Sequence, residues 1–438
     1  MSSPLHALRG PAITFVADPF LVGRSALHHV VDAMLVMEGG MIRAFGEYAV
    51  LRSQFAADLP VTHYPDDLIL PGFVDLHVHY PQVSIIGSHG KQLIDWLNQY
   101  AFPAEMAFAD AAHAAAAAEF FLDECLRAGT TTAMVYGTVH KQSAESFFAA
   151  AERRGMRMIT GKVMMDRNAP AALCDTARQS YDDSKALIEK WHGRGRLEYA
   201  VTPRFAVTST PEQLEAAAAL RREHPDVLMQ THIAENLDEI AAVTKLFPER
   251  RDYFDVYAHH QLAGPRSVFG HAIHLHEREW QAAFDTGSAL AHCPTSNGFL
   301  GSGLFPMQKA KQPGRHIPVG IASDVGGGTS LSLLRTLSCA YMVGQLSGRT
   351  LTAAEALYSI TRGAAAALGL EQRIGSLAAG FEADVVVLNP RSTAMLAQRT
   401  ERCENIDELL FAQIIMADDR ATRAVYIGGK LSFSQATG

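Results

Sequence analysis

The stretch Phe73–His79 reads FVDLHVH and follows the apolar run LILPG. In a strand, side chains alternate every two residues, so His77 and His79 point to the same face. Two imidazoles on the buried face of a strand are costly unless their nitrogens find partners, and a metal ion would use both. Other apolar runs also end in polar residues: His232 and Glu235 in VLMQTHIAE, His271 in SVFGHAIHL, and Asp324 in PVGIASDVG. Neutral imidazoles with a carboxylate suit zinc or Fe(II), and zinc is the commoner choice. His77, His79, His232 and Asp324 are therefore the candidate metal ligands. Three histidines and one carboxylate leave room for water in an expanded shell.

Glu235 follows His232 by three residues. It is either a carboxylate in the first turn of a helix, near the positive dipole end, or a proton carrier beside the metal. His271 either ligates the metal or hydrogen-bonds its water. Asp324 doubles as the candidate general base for water activation. The glycines after it, in SDVGGG, let backbone approach a ligand closely or form a flexible turn. His274 reads as a surface or supporting residue, and His259 and His260 take no role.

These residues need a frame that brings them together. Eight β-rich apolar runs occur in order: LILPGFVDLHVH, TTTAMVYGT, RMITGKVMMD, LEYAVTPRF, VLMQTHIAE, SVFGHAIHL, SALAHCPTS and PVGIASDVG. Helical stretches such as PEQLEAAAALRREH, with Pro at its start, separate most of them. The alternation predicts an α/β fold with a (β/α)8 barrel over residues 71–374. Active sites of such barrels lie at the C-terminal ends of the strands. Those ends carry His77 and His79, then Arg204, His232 with Glu235, His271, His292 and Asp324. The outer segments, 1–70 and 375–438, are short and β-rich. AITFVADPF, DAMLVMEGGMIRAFG, ADVVVLNP and TRAVYIGGKL predict one small β-sandwich built from both termini.

Composition narrows the function classes. Over 438 residues, 48% are hydrophobic and 19% charged, the balance of a globular chain with a sizeable core. A net charge of −8 without a basic tract argues against a nucleic-acid binder. No apolar run is long enough to span a bilayer, and MSSPLHALRGPA lacks the pattern of a signal peptide. Five scattered cysteines predict reduced thiols and a cytoplasmic protein.

PGFVDLHVH, the strand-five histidine, GHAIHL, the strand-eight aspartate and GSLAAGFEADVVVL resemble the amidohydrolase superfamily over nearly the whole chain. Within it, GSHGKQLIDWLNQYAFPAE of residues 87–105, with its DWLNQYAFPAE pattern, TPRF and THIAEN are similar to the guanine deaminase family. That resemblance implies hydrolysis of guanine to xanthine and ammonia in purine breakdown, with one zinc per subunit in a homodimer. It implies His77, His79, His232 and Asp324 as ligands and His271 beside the reacting water. Gln82, Arg204, Phe205 and Glu235 would contact or serve the purine. Related two-metal barrels place a bridging lysine at the end of strand four, where this chain has Arg204; Lys162 lies in strand three. One metal is therefore expected. The Arg204 guanidinium can donate twice to a carbonyl edge or serve as a structural salt-bridge partner, and the Gln82 amide can donate and accept. Trp96 and Phe102 are candidates either for an apolar wall or for helix packing. Tyr80-Pro81 departs from the small residues expected there and would reshape the pocket mouth. Competing readings are another amino-heterocycle, such as 8-oxoguanine, a pterin or an aminotriazine, and a non-catalytic scaffold.

Overall fold

The computed structural model describes residues 4–90 and 92–435; Lys91, within the motif of residues 87–105, lies outside them. The eight expected barrel strands are present: Phe73–His79, Thr130–Tyr136, Arg157–Gly161, Glu198–Pro203, Leu228–Ile233, Ser267–His271, Ala289–His292 and Val319–Ile321. Each pairs in parallel with the next. The circle closes just beyond strand eight. The Asp324 N–H donates to the His77 carbonyl (2.9 Å), and the His79 N–H donates to the Val325 carbonyl (2.8 Å). The residue that closes the barrel is thus also a candidate ligand.

Most strands read as continuous apolar runs because helices cover the outside while side chains fill the inside. Met134, Ile159, Leu228 and Val268 form part of an inner core that is closed from below by the helix Arg362–Ala367. Strand one carries one extra residue between Asp75 and Val78 relative to strand two. Such a bulge re-aims side chains, here immediately before the two histidines.

The run LILPGFVDLHVH is two strands, not one. Leu68–Pro71 leaves the barrel and pairs antiparallel with Val385–Leu388. The chain turns at Gly72, whose N–H donates to the Asp384 carbonyl. His6–Phe15, Leu27–Glu38 and Met41–Glu47 extend this sheet on one side, and Thr422–Ile427 and Lys430–Ser434 extend it on the other. Its edge strand Met41–Glu47 folds back onto the segment that leads into Val385–Leu388: the Ile42 N–H donates to the Phe381 carbonyl and the Ala383 N–H to the Gly40 carbonyl, both at 2.8 Å. The expected sandwich is therefore one continuous sheet folded over its own core of Leu35, Ile69, Val385 and their neighbours. The C-terminal segment also contains two helices, Ala394–Thr400 and Ile406–Met416.

Candidate metal and substrate site

At the C-terminal mouth of the barrel, four donor atoms meet. His79 Nε2 lies 3.3 Å from His77 Nε2 and 3.2 Å from His232 Nε2. Asp324 Oδ1 lies 3.3 Å from His77 Nε2 and 3.4 Å from His79 Nε2. The rings come from strands one and five, and the carboxylate comes from the turn after strand eight. Tyr136, at the end of strand two, stacks on the His79 ring at 4.4 Å and backs the cluster.

The chemistry of these donors fits a divalent cation. His232 Nδ1 is 2.8 Å from the Arg204 carbonyl and can only donate to it, so Nε2 presents a lone pair. Burial lowers the pKa of His77, and burial with neighbouring charge holds His79 and His232 well below the usual range, which favours the neutral rings that metal binding needs. Against the push of burial, His77 beside it and His271 hold Asp324 at about 2, so it is ionised. Lone pairs facing one another at this range repel unless a cation sits among them. Donors about 2.1 Å from one tetrahedral zinc lie roughly 3.4 Å apart, which is the spacing found.

His271 stands beside this set. Its Nδ1 meets Asn297 Oδ1 at 2.8 Å, and its Nε2 lies 3.5 Å from Glu235 Oε2 and 3.7 Å from Asp324 Oδ2. Burial lowers its pKa, but the two carboxylates outweigh that and raise it. Glu235 is not a helix-capping carboxylate. Asn236 and Glu239 cap the helix Leu237–Leu246, and Glu239 accepts the Glu235 N–H at 2.9 Å. That frees the Glu235 side chain to face the cluster, where Ser302 Oγ donates to it at 3.1 Å and burial raises its pKa to about 7. Ala234, His271 and Asp324 all have φ between 48° and 70°. Non-glycine residues in this region carry about 1–3 kcal/mol of strain each, and such strain gathers at functional sites.

A narrow cavity opens onto these groups. His79, His232, Glu235, His271 and Asp324 line its floor; Gln82, Trp96, Arg204 and Phe205 stand in its walls with Leu93, Leu97 and Leu300. The site residues expected from sequence are thus brought together, except His77, which lies beneath the cavity surface. One open alternative about the walls is decided and one expectation is corrected. Phe102 does not line the cavity; it is buried with its ring under the Arg204 guanidinium, 5.4 Å away. A π-helical turn, Leu97–Ala101, separates Trp96 from Phe102 and shifts the helical phase between them. Tyr80-Pro81 faces a separate outer groove with Phe108 and Phe120, and the Tyr80 hydroxyl donates to the Ser143 carbonyl at 2.8 Å. The pocket mouth is unaffected by that pair.

The remaining expectations also have places. His292 stacks on Phe305, and burial lowers its pKa to about 3. His274 meets the Ser302 carbonyl at 2.8 Å. Lys162 is buried and paired with Asp175. The glycines after Asp324 serve close packing: a Cβ on Gly326 would lie 2.6 Å from the Gln82 carbonyl oxygen.

Two buried carboxylates escaped the sequence reading. Asp75 accepts from the Ser323 N–H (3.1 Å) and hydroxyl and from the His77 N–H (3.3 Å), tying strand one to strand eight. Its signal was its place two residues before His77 in an apolar strand. Glu105, fully buried, accepts from Gln82 Nε2 at 2.8 Å and Arg204 Nη1 at 2.6 Å. Its signal was a lone charge in the FPAE segment.

Comparisons with known proteins agree with this geometry. A family model described as "Amidohydrolase family" matches residues 68–432. A guanine deaminase of Escherichia coli is 46% identical over 411 residues, 94% of this chain and 93% of the relative. The structure of E. coli guanine deaminase superposes with a TM-score of 0.96 at 44% identity, covering 98% of this chain and all of that one. A guanine deaminase from C. acetobutylicum, solved with guanine in its active site, gives 0.88 at 27% identity over 98% of this chain and 100% of that one.

Proposed function

The chain belongs to the amidohydrolase family, and from that premise we propose its reaction: hydrolysis of guanine to xanthine and ammonia. The observation that carries the reading is one cavity lined by convergent metal donors and Glu235 on its floor and by Gln82 and Arg204 in its walls. His77, His79, His232 and Asp324 would hold one Zn2+, with Fe2+ as the alternative ion for the same donors. The cation's chemistry there is to lower the pKa of water toward ~7, so that a nucleophile exists at neutral pH.

The chain's own residues do the rest. Arg204 donates to the carbonyl edge of the purine, and the Gln82 amide engages a neighbouring donor or acceptor. Phe205 and Trp96 cover the flat ring. Asp324 is ionised and takes the proton of the attacking water, which His271 orients. Glu235, poised near neutrality, protonates the ring nitrogen next to C2, so charge does not build up as water adds. A proton then passes to the amino group, the C2–N bond breaks and ammonia leaves. The water oxygen remains as the new carbonyl. His271 supports this role rather than that of a fifth ligand, because its nitrogen stands outside the 3.2–3.4 Å set.

Zinc-loaded protein incubated with guanine should release ammonia and xanthine in equal amounts and leave adenine untouched. Guanine left intact at full zinc content would overturn the substrate. The reading extends to a cytoplasmic homodimer in purine breakdown; the five free thiols support that compartment, and the family resemblance supports the dimer.

A further inference from the structure

Glu105 joins the two purine-facing side chains, and its chemistry restricts both. A carboxylate only accepts hydrogen bonds. One Glu105 oxygen takes Arg204 Nη1 and the other takes Gln82 Nε2. The Gln82 amide is therefore fixed with nitrogen toward Glu105 and oxygen toward the Gly326 N–H, which donates to Gln82 Oε1 at 3.2 Å. Gln82 keeps one free N–H and one free lone pair, in a set order, beside the Arg204 donors on the cavity wall. Glu105 itself is buried and does not line the cavity. We propose that Glu105 is a positioning residue that sets substrate choice by locking the Gln82 amide, so that the wall accepts a lactam edge and rejects its amino-imine reverse. This rests on the guanine reading above.

The amide isostere breaks the lock for a definite reason. In Glu105→Gln, the new oxygen can satisfy Arg204, and its NH2 then faces Gln82. Either two N–H donors oppose each other there, or Gln82 flips and opposes the Gly326 N–H. Neither arrangement satisfies all partners, so the order of donor and acceptor on the wall is lost.

The test is calorimetric binding of hypoxanthine, which keeps the lactam edge, and of adenine, which reverses it. Neither probe carries the 2-amino group, so neither is a guanine-type substrate. In Glu105→Gln the preference for hypoxanthine over adenine should fall at least about tenfold, and Glu105→Asp, still an acceptor only, should retain most of it. A zinc-loaded Glu105→Gln variant with wild-type preference but fewer active molecules would overturn the proposal, since a structural role would give that pattern. If Glu105→Gln does not fold, Gln82→Leu leaves the Glu105–Arg204 pair intact and removes the oriented amide. Loss of the preference there supports the proposal and an unchanged preference overturns it. Wild-type protein that binds neither purine and leaves guanine intact would instead overturn the functional reading together with this one.

Discussion

The two ends of the barrel both gather buried charge, yet they are built on opposite terms. At the N-terminal end, Arg157 opens strand three and Glu198 opens strand four. Arg157 bonds Glu198 at 2.9 Å and also Glu382, from the turn that enters the terminal sheet. Arg196 joins Glu382 and Asp384, while Arg266 and Arg373 reach Glu198 and Glu382. Every carboxylate oxygen of Glu198, Glu382 and Asp384 faces a guanidinium. At the C-terminal end, three imidazole nitrogens and a carboxylate face each other instead. The first cluster is complete as the chain folds and bolts the barrel to the terminal sheet. The second has no such guanidinium partner, and its donors fit a cation. Complementarity within the chain marks structure, and its absence marks the site.

Substitutions at the two ends should therefore separate activity from stability. The largest effect on activity is expected from His77→Ala, which removes a central donor: turnover should fall by about 10³-fold or more and zinc per chain toward zero. A fully metallated variant would show that His77 is not a ligand. Glu235→Gln should lower kcat by about 10²–10⁴-fold at unchanged zinc content, the loss expected of a proton carrier. Near-normal kcat would remove Glu235 from the mechanism. Gly270→Ala probes the packing behind the cluster, since its Cβ would meet the His77 ring at 2.6 Å. Displacing that ring should weaken zinc affinity by about 10–100-fold, read in a chelator competition. At the other end, Arg157→Met should leave kcat per bound zinc unchanged. It takes one guanidinium partner from each of Glu198 and Glu382, which keep Arg266, Arg196 and Arg373, and should cost about 1–3 kcal/mol of stability in denaturant unfolding. Loss of activity at full zinc occupancy in that variant would erase the distinction between the ends.

The two ends also differed in how far the sequence revealed them. The mouth was legible because each strand announces its end with a polar residue after an apolar run, and a strand's period of two puts His77 and His79 together. The opposite cluster was not, because its charges sit at strand starts, where they look like ordinary solvated residues. Glu105 was missed for a related reason: its partners, Gln82 and Arg204, are 23 and 99 residues away and meet only in the folded chain. Phe102 stays open in the sequence between wall and helix packing because a π-helical turn breaks the regular helical spacing. Tyr80-Pro81 was given to the pocket because sequence shows adjacency to His79 but not that the chain turns there, with Gln82 directed inward and Tyr80 outward.

The most direct test of the account is a zinc titration of chelator-treated protein with guanine turnover and bound zinc measured together. The account predicts that turnover rises in proportion to zinc, stops at one zinc per chain and yields xanthine. Turnover that persists in zinc-free protein, or that requires a second zinc, would contradict it.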